Sequence, residues 1–290
     1  GNNNNASQIG AAGGAIYNYN STIGDISGNF INNHAENQTG ISATYGGAIF
    51  NRNSAKIGNI KGNFENNHIY SKNGYTSGGG IYGTESATIN DIVGNFINNY
   101  AKSESNSADG GAIALLSSAK INSITGDFIK NYASAGARAS GGAINNNSLA
   151  IIGDIIGNFT QNHAESTGGS SAARGGALLN FGSISKLNGD FTDNNALTNG
   201  TFAIGGAIAN MYKNSSVYGS IPILSGNFSG NFAQTTGTGS NSFAQGGAIY
   251  NASNIDDIKS STFSNNFVSG ASEQTDGGAI WNSGTLSFSG

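Results

Sequence analysis

One unit of the chain reads Gly13-Gly14-Ala15-Ile16-Tyr17-Asn18, then Ile23-Gly24-Asp25-Ile26, then Gly28-Asn29-Phe30-Ile31-Asn32-Asn33. Its first phrase, Gly-Gly-Ala-Ile or a close variant, occurs nine times along the chain, about every 32 residues. The phrase Phe-x-x-Asn alternates with it and occurs eight times. A chain in which one short unit recurs in this way is predicted to be a solenoid, with each unit stacked on the next.

The three apolar bursts in each unit are too short for helices. None follows the i, i+3, i+4, i+7 spacing of a helix over a dozen residues, and each is bounded by Gly, Asn, Asp or Ser. We therefore predict an all-β fold, a single-stranded right-handed parallel β-helix of about nine coils with three short strands each. The right hand follows from the usual chirality of parallel crossovers. Leucine-rich and helical repeats are excluded because their patterns are absent.

The asparagine of Phe-x-x-Asn is expected to face the interior of the solenoid. There its side-chain amide pairs with the equivalent asparagines above and below and also serves turn carbonyls and amides. This structural ladder is predicted to contain Asn33, Asn67, Asn99, Asn131, Asn162, Asn194, Asn231 and Asn266. A second corner is predicted two residues after the isoleucine of most units, at Asn18, Asn51, Asn146, Asn180, Asn210, Asn251 and Asn282.

The composition narrows the class of protein. The 290 residues include 46 Gly and 44 Asn but one Pro, and the net charge is −4. Because no basic cluster exists to follow phosphates, nucleic acid is not an expected partner. The chain lacks cysteine, which fits a surface protein that is exported unfolded. No apolar stretch is long enough to span a bilayer, so we expect no membrane insertion by this segment.

The two ends of the sequence indicate a segment of a longer repeat protein. Residues Gly1 to Asn5 lack the basic and apolar regions of a signal peptide. The last repeat stops after Gly-Gly-Ala-Ile, midway through its unit. We expect residues 1–290 to form one continuous β-helix.

Unit length varies between 30 and 41 residues, mainly between Phe-x-x-Asn and the next Gly-Gly. These segments are rich in Ser, Thr, Gly and Ala and are expected to emerge as loops along one edge. Loops held by a rigid scaffold are the usual location of residues that bind a partner. They include Glu36 to Tyr45, Ile69 to Ser77, Ser134 to Ser140, Glu165 to Arg174 and Ala233 to Gln245. A further bulge is expected on a second edge, between Met211 and Ile221.

Three aromatic residues form a candidate ligand-binding row. If the isoleucines of the first three units point inward, the next residues, Tyr17, Phe50 and Tyr82, point outward on adjacent coils. Exposed aromatic rings in a row stack against a sugar or a partner protein. The competing interpretation, which we favour, is a self-packed aromatic ladder that stiffens the sheet.

No catalytic, cofactor-binding or metal site is predicted. Charged residues make up 10% of the chain and are dispersed, and no nucleophile elbow, P-loop or calcium repeat is present. The three histidines, His34, His68 and His163, share a column with Tyr, Asn and Phe, which indicates a flat stacking position. The alternative is that His34 and His68, on adjacent coils, share a metal.

The pairing of Gly-Gly-Ala-Ile/Leu with Phe-x-x-Asn resembles the polymorphic outer-membrane proteins of chlamydiae and related autotransporter passengers of Gram-negative bacteria. The resemblance covers the chain from Gly13 to Ile280. It implies a surface-displayed parallel β-helix, exported through a C-terminal barrel and often acting in adhesion. The regular Ile-Gly-Asp-Ile step and the high Asn content indicate a distant relative.

Three functions follow as hypotheses. The first is a non-catalytic passenger at the surface of a Gram-negative bacterium, binding a protein or glycan on a host or neighbouring cell. The second is a structural stalk or filament, because uncapped β-helix ends expose strand edges that allow end-to-end self-association. The third is a carbohydrate-active β-helix enzyme, which a groove with converging Asp, Glu, Arg or Lys would favour.

Overall fold

The computed structural model describes residues 9–214, 217–270 and 274–290. In these ranges the chain forms β-strands and no helix, and the strands stack in parallel into five long sheets. Eight turns are complete, and a ninth has strands in three of the five sheets. The predicted all-β parallel β-helix is confirmed. The opening residues Gly1 to Asn5, interpreted above for the lack of a signal, lie outside the described residues.

Two sheets flank the double glycine. Sheet A contains the strands that precede it: Ile9–Ala12, Ala43–Tyr45, Thr76–Ser77, Ala108–Asp109, Arg138–Ser140, Ala172–Arg174, Phe202–Ile204, Phe243–Gln245 and Gln274–Asp276. Sheet B contains the strands that follow it: Ile16–Tyr19, Ile49–Arg52, Ile81–Gly83, Ile113–Leu115, Ile144–Asn146, Leu178–Asn180, Ile208–Asn210, Ile249–Asn251 and Ile280–Asn282.

Sheet C is built from the Ile-Gly-Asp-Ile step. In the first two turns the step is split into two short strands, and from the third turn onward it is one strand of five or six residues. Its strands are Thr22–Ile23, Ile26–Ser27, Lys56–Ile57, Ile60–Lys61, Thr88–Val93, Lys120–Thr125, Ile151–Ile156, Ser183–Asn188, Ser220–Ser225, Asn254–Lys259 and Thr285–Ser289.

The remaining two sheets surround Phe-x-x-Asn. Sheet D contains the phenylalanine strands: Phe30–Ile31, Phe64–Glu65, Phe96–Ile97, Phe128–Ile129, Phe159–Thr160, Phe191–Thr192, Phe228–Ser229 and Phe263–Ser264. Sheet E begins directly after the asparagine: His34–Asn37, His68–Ser71, Tyr100–Ser103, Tyr132–Ala135, His163–Ser166, Asn195–Thr198, Phe232–Thr235 and Phe267–Gly270.

Each complete turn thus has strands in five sheets, whereas the sequence predicts three strands per coil. The three apolar bursts became sheets B, C and D. Sheets E and A were missed because their inward side chains are mostly Ala, Ser and Thr, for example Ala101 and Ala139. Such small residues carry little of the hydrophobic signal by which strands are found.

The double glycine marks a place where the wall of the solenoid bends inward. The first glycine has a positive φ, as at Gly46 (φ 60°). A Cβ atom on the second, Gly47, would collide with the carbonyl oxygen of Gly79 in the next turn and lie 2.6 Å from that of His68 in sheet E. The chain at this point therefore touches the backbone of the opposite wall, which only glycine permits.

This bend divides the interior into two cores. The larger core lies between sheets B, C and D and contains a column of phenylalanines whose rings stack 4.7–4.8 Å apart. The smaller core lies between sheets E and A and consists of Ala and one Ile, Ile69. Outside, the inward bend brings the outer faces of sheets A and B toward each other.

Candidate functional site

The outer faces of sheets A and B line a cleft that follows the solenoid axis. In each turn the residue directly before the double glycine and the residue five positions later lie on these two outer faces, and the Tyr45 and Phe50 rings meet at 5.5 Å. We call these couples the cleft pairs. They are Ala12 and Tyr17, Tyr45 and Phe50, Ser77 and Tyr82, Asp109 and Ala114, Ser140 and Asn145, Arg174 and Leu179, Ile204 and Ala209, Gln245 and Tyr250, and Asp276 and Trp281.

The predicted aromatic row lies at the first end of this cleft, but most of it is covered. Tyr17 is 38% exposed, whereas Phe50 is 1% and Tyr82 is 6% exposed. Tyr45 of sheet A covers them, with its ring 4.6 Å from that of Tyr82. An exposed row of three rings is therefore not found, because the bend at the double glycine places sheet A over Phe50 and Tyr82. The rings instead pack on one another, at 5.1 Å for Tyr17 and Phe50 and 5.2 Å for Phe50 and Tyr82, as in the interpretation favoured above.

A second apolar cluster lies past the middle of the cleft. Leu179, Ile204 and Ala209 form a buried cluster with Phe202, Phe243 and further aromatic neighbours. The Phe202 and Phe243 rings stack at 5.2 Å. Aromatic and aliphatic side chains thus flank the middle of the cleft on both sides.

The centre of the cleft is polar. Asp109, Ser140 and Arg174 occupy consecutive rungs of sheet A. Asn145, the sheet B member of the Ser140 pair, lies between Ala114 and Leu179. Arg138 donates from Nη2 to Asp109 Oδ2 at 3.5 Å and from Nε to the Ser140 hydroxyl at 3.2 Å. These five residues, from three successive units, form what we call the charged centre.

Burial shifts the ionisation of this group. Desolvation raises the pKa of the Asp109 carboxyl, against the opposing effect of the Arg138 and Arg174 charges and the Ser140 hydroxyl. Desolvation also lowers the pKa of Arg174 to about 10, with a further contribution from Arg138. The Arg174 guanidinium lies over the Phe202 ring, with Cζ 4.9 Å from the ring centroid. Arg174 still carries its charge at neutral pH.

Three polar atoms of the charged centre are buried without a hydrogen-bond partner. They are Asp109 Oδ1, Asn145 Oδ1 and Arg174 Nε. Buried polar atoms are nearly always paired, so unpaired ones in one place require an explanation. Sequence reasoning missed this site because its charges lie in different units. The sequence did contain a signal for this site. The residue directly before the double glycine is Tyr or Ser in the second and third units, and Asp, Ser and Arg in the next three.

The predicted asparagine column forms a continuous ladder in the interior. In every rung the side-chain amide of one asparagine donates to Oδ1 of the next at 2.9–3.0 Å. The column runs from Asn33 to Asn266, and its members from Asn67 to Asn231 are fully buried. These residues are held by the fold and do not face a ligand.

A second ladder, on the outside, was not predicted. The residue directly before each of the first seven repeated phenylalanines accepts the backbone N–H of its equivalent in the next turn at 2.8–3.3 Å. The accepting residues are Asn29, Asn63, Asn95, Asp127, Asn158, Asp190 and Asn227. Only an acceptor is required here, which explains why the column takes Asn or Asp, whereas the inner ladder takes Asn alone.

The second corner column is a ladder with one gap. Asn18 donates to Asn51 at 2.9 Å, and the column resumes from Asn146 to Asn282 with distances of 2.7–2.9 Å. Between them the same register holds Gly83 and Leu115. The ladder is interrupted at these two turns because neither residue carries a side-chain amide.

The histidine column is a ring stack on the outer face of sheet E. The rings of His34 and His68 lie 5.1 Å apart at an angle of 11°, and the stack continues through Tyr100 and Tyr132 to His163. His68 also contacts Glu36, with Nε2 3.2 Å from the carboxylate. Within the part of the chain that the structure describes, no three His, Cys, Asp or Glu side chains are grouped as metal ligands.

The loops between sheets E and A emerge along one edge, which we call the loop edge. They are shorter than the predicted segments because both ends of each segment belong to strands of sheets E and A. Of the segment Glu36 to Tyr45, for example, residues 38–42 form the loop. The other loops with every residue described are 72–75, 104–107, 136–137, 167–171, 199–201 and 236–242. Gly169, Asn199, Thr201 and residues 236–242 line an open polar cavity of about 430 Å³.

The bulge predicted between Met211 and Ile221 contains a short antiparallel pair. Its strands are Tyr212–Asn214 and Val217–Tyr218, with Tyr212 opposite Tyr218. Both tyrosines are about half exposed. Residues 215–216 lie outside the described ranges.

Comparison with protein-family models, with curated proteins and with solved structures gives no match. The resemblance to autotransporter passengers consequently rests on the repeated phrases alone. Among the described residues there is also no helix of the length and apolarity needed to cross a membrane.

Proposed function

We propose that this chain is a non-catalytic recognition solenoid of the autotransporter-passenger type, displayed at the surface of a Gram-negative bacterium. Its partner is a protein or glycan on a host or neighbouring cell. The observation that carries the proposal is the loop edge, where loops of different length and sequence leave a regular scaffold side by side. Loops held in this way are the usual carriers of binding specificity.

The rigidity of the scaffold supports this role. Neighbouring loops are anchored by strands that pair rung by rung, as His163–Ser166 and Asn195–Thr198 do. Buried hydroxyl groups join the loop bases, since Ser166 donates to Thr198 at 2.8 Å and Ser171 lies 2.9 Å from Thr198. A loop fixed at both ends loses less conformational entropy on binding than a free one.

The polar cavity on the loop edge adds to the argument. It is lined by backbone and small polar side chains from three successive turns, including Asn199, Thr201 and Thr236. A shallow concave surface with hydrogen-bonding groups suits the hydroxyls of a glycan or the main chain of a peptide. The exposed tyrosines Tyr212 and Tyr218 provide a further contact of the type enriched at interfaces.

The experiment is binding of the purified chain to arrays of glycans and of host-cell surface proteins. The variant carries Gly/Ser residues in place of loop residues 38–42, 167–171 and 236–242, which leaves all flanking strands intact. A matched control changes two exposed charges on sheet C, Lys56→Ser and Lys120→Ser. Circular dichroism and thermal melting verify the fold of each variant.

We expect saturable binding by the parent chain and by the sheet C control, and loss of binding in the loop variant. Absence of any saturable binding by the folded parent chain would refute the proposal and favour a structural stalk. Concentration-dependent filaments in light scattering would favour the same alternative. Shortening of a bound glycan would favour a carbohydrate-active enzyme.

A further inference from the structure

We propose that the charged centre of the cleft binds a carboxylate-bearing saccharide chain, at a site separate from the loop edge. The charged centre consists of Asp109, Arg138, Ser140, Asn145 and Arg174. The site would thus use a different face of the solenoid from the one assigned above to recognition.

The first support is the set of unpaired buried atoms. Asn145 is 2% exposed and its Oδ1 has no partner, and Asp109 Oδ1 and Arg174 Nε–H are likewise buried and unpaired. Two acceptors and one donor of the charged centre are therefore without a protein partner. A ligand with hydroxyl groups and an anionic oxygen supplies both kinds of partner.

The second support is charge. Arg138 and Arg174 are two of the three arginines in the whole chain, and the acidic group in the charged centre is Asp109 alone. This leaves one net positive charge in a chain whose total is −4. Guanidinium groups bind carboxylates with two parallel hydrogen bonds, and the contact strengthens where water is excluded.

The third support is the shape of the cleft. Two neighbouring cleft pairs, Asp109–Ala114 and Ser140–Asn145, have small side chains. The next pair on one side contains Tyr82, and the next pair on the other side contains Leu179, both of which are larger. The centre therefore has small side chains between two apolar clusters, which wall it on both sides. Such walls lower the local dielectric constant, which strengthens the contact between an arginine and a carboxylate.

The position of the binding groups favours a saccharide over a peptide. Strands here, such as Arg138–Ser140, pair with a neighbour on both sides, so no free strand edge is offered to an extended peptide. The unpaired polar groups are side-chain atoms on neighbouring rungs, and rungs lie about 4.8 Å apart. Hydroxyls and carboxylates distributed along a sugar chain match isolated groups of this kind.

The test is calorimetric titration of the parent chain with hyaluronan oligosaccharides, which carry one carboxylate on every second sugar. Dextran serves as the neutral saccharide and polyglutamate as the polyanion without sugar. The variants are Arg174→Gln, Arg138→Gln and Asn145→Ser. Arg52→Gln is the matched control, because Arg52 pairs with Glu85 on the outer face of sheet B, at 2.8 Å and outside the charged centre.

We expect binding of hyaluronan that weakens about tenfold or more in each arginine variant, as loss of a charge-assisted hydrogen bond implies. Asn145→Ser is expected to weaken binding less, and Arg52→Gln to leave it unchanged. The Arg138 side chain is 38% exposed, so Arg138→Gln is expected to leave the fold intact. This variant therefore tests the site even if Arg174→Gln lowers the melting temperature.

Several results would overturn the inference. They are no binding of hyaluronan, equal binding of polyglutamate or dextran, or unchanged affinity in both arginine variants. The loop variant described above separates the two sites, since it is expected to retain hyaluronan binding. The size distribution of hyaluronan after incubation is measured as well; cleavage that is lost in Arg174→Gln would support the site but refute a non-catalytic role.

Discussion

Asn131 donates two hydrogen bonds to one oxygen of Asn162, from its backbone N–H and from its side-chain amide, both at 3.0 Å. The second amide hydrogen of Asn131 goes to the carbonyl of Phe96 in the turn below, at 2.9 Å. Each ladder asparagine from Asn67 to Asn231 thus joins three successive turns. Its side-chain N–H groups and its Oδ1 are all hydrogen-bonded inside the solenoid, away from solvent.

This relationship predicts that Asn131→Asp is strongly destabilising. The carboxylate removes both amide donors and places a charge without a partner in the interior. We expect a loss of about 3–5 kcal/mol in the free energy of unfolding, measured by denaturant titration. The matched control is the opposite exchange four residues earlier, Asp127→Asn, which keeps the outer-ladder acceptor for Asn158. It is expected to change stability by less than about 0.5 kcal/mol, and equal effects of the two exchanges would contradict our account of the ladders.

The phenylalanine column predicts a position-dependent cost of truncation. Phe128 is fully buried, with its ring 4.8 Å from Phe96 and 4.7 Å from Phe159. We expect Phe128→Ala to cost about 3–5 kcal/mol, because no neighbour can fill the cavity. Phe263, in the last rung of sheet D, is partly exposed. Phe263→Ala should therefore lower the free energy of unfolding by a smaller amount. Chemical denaturation of both variants tests this order, and a larger effect at Phe263 would show that the column does not carry the core.

The inward bend predicts which glycines tolerate a methyl group. A Cβ on Gly142 would collide with the carbonyl oxygens of Gly176 and His163, both backbone atoms. Gly142→Ala is therefore expected to cost at least about 3 kcal/mol or to prevent folding. A Cβ on Gly24 would meet no atom within 4 Å, so Gly24→Ala should stay within about 0.5 kcal/mol of the parent. Thermal melting of the two variants distinguishes the cases.

Burial of His163 predicts a loss of stability on acidification. Desolvation lowers the pKa of His163, and Glu165 only partly opposes this. The unfolded chain therefore binds a proton at this residue before the folded chain does. Stability is expected to fall as the pH drops below about 6.5, the pKa of a free histidine, until the folded pKa is passed.

His163→Tyr tests this pH dependence, because Tyr132 already occupies the neighbouring position of the same stack. The variant should lose part of the decrease in unfolding free energy between about pH 7 and about pH 5. His34→Tyr, at the exposed end of the stack, is the control and should retain it. If both variants keep the full decrease, another group is responsible.

Much of the architecture follows from the sequence, as the phenylalanine and asparagine columns illustrate. Phe128 and Asn131 recur at a fixed spacing in each unit, and a parallel stack brings equal positions into register, so their neighbours are other copies of themselves. The number of strands per turn was underestimated, since the small residues of sheets E and A, such as Ala101 and Ala139, give no clear pattern. The outer ladder at Asp127 was missed because its acceptor serves backbone rather than side chains.

The repeat, the parallel stacking, the inner ladder and the edge on which the loops emerge can all be inferred from the spacing of residues along the chain. Which outward side chains meet depends on how the wall is bent in three dimensions. The angle at the double glycine turns sheet A onto sheet B, and this buries Phe50 while leaving Tyr17 exposed. The same bend gathers Asp109, Asn145 and Arg174 from separate units into one charged centre. Periodicity fixes the neighbours along a column, but contacts between two outer faces depend on the direction in which the wall bends.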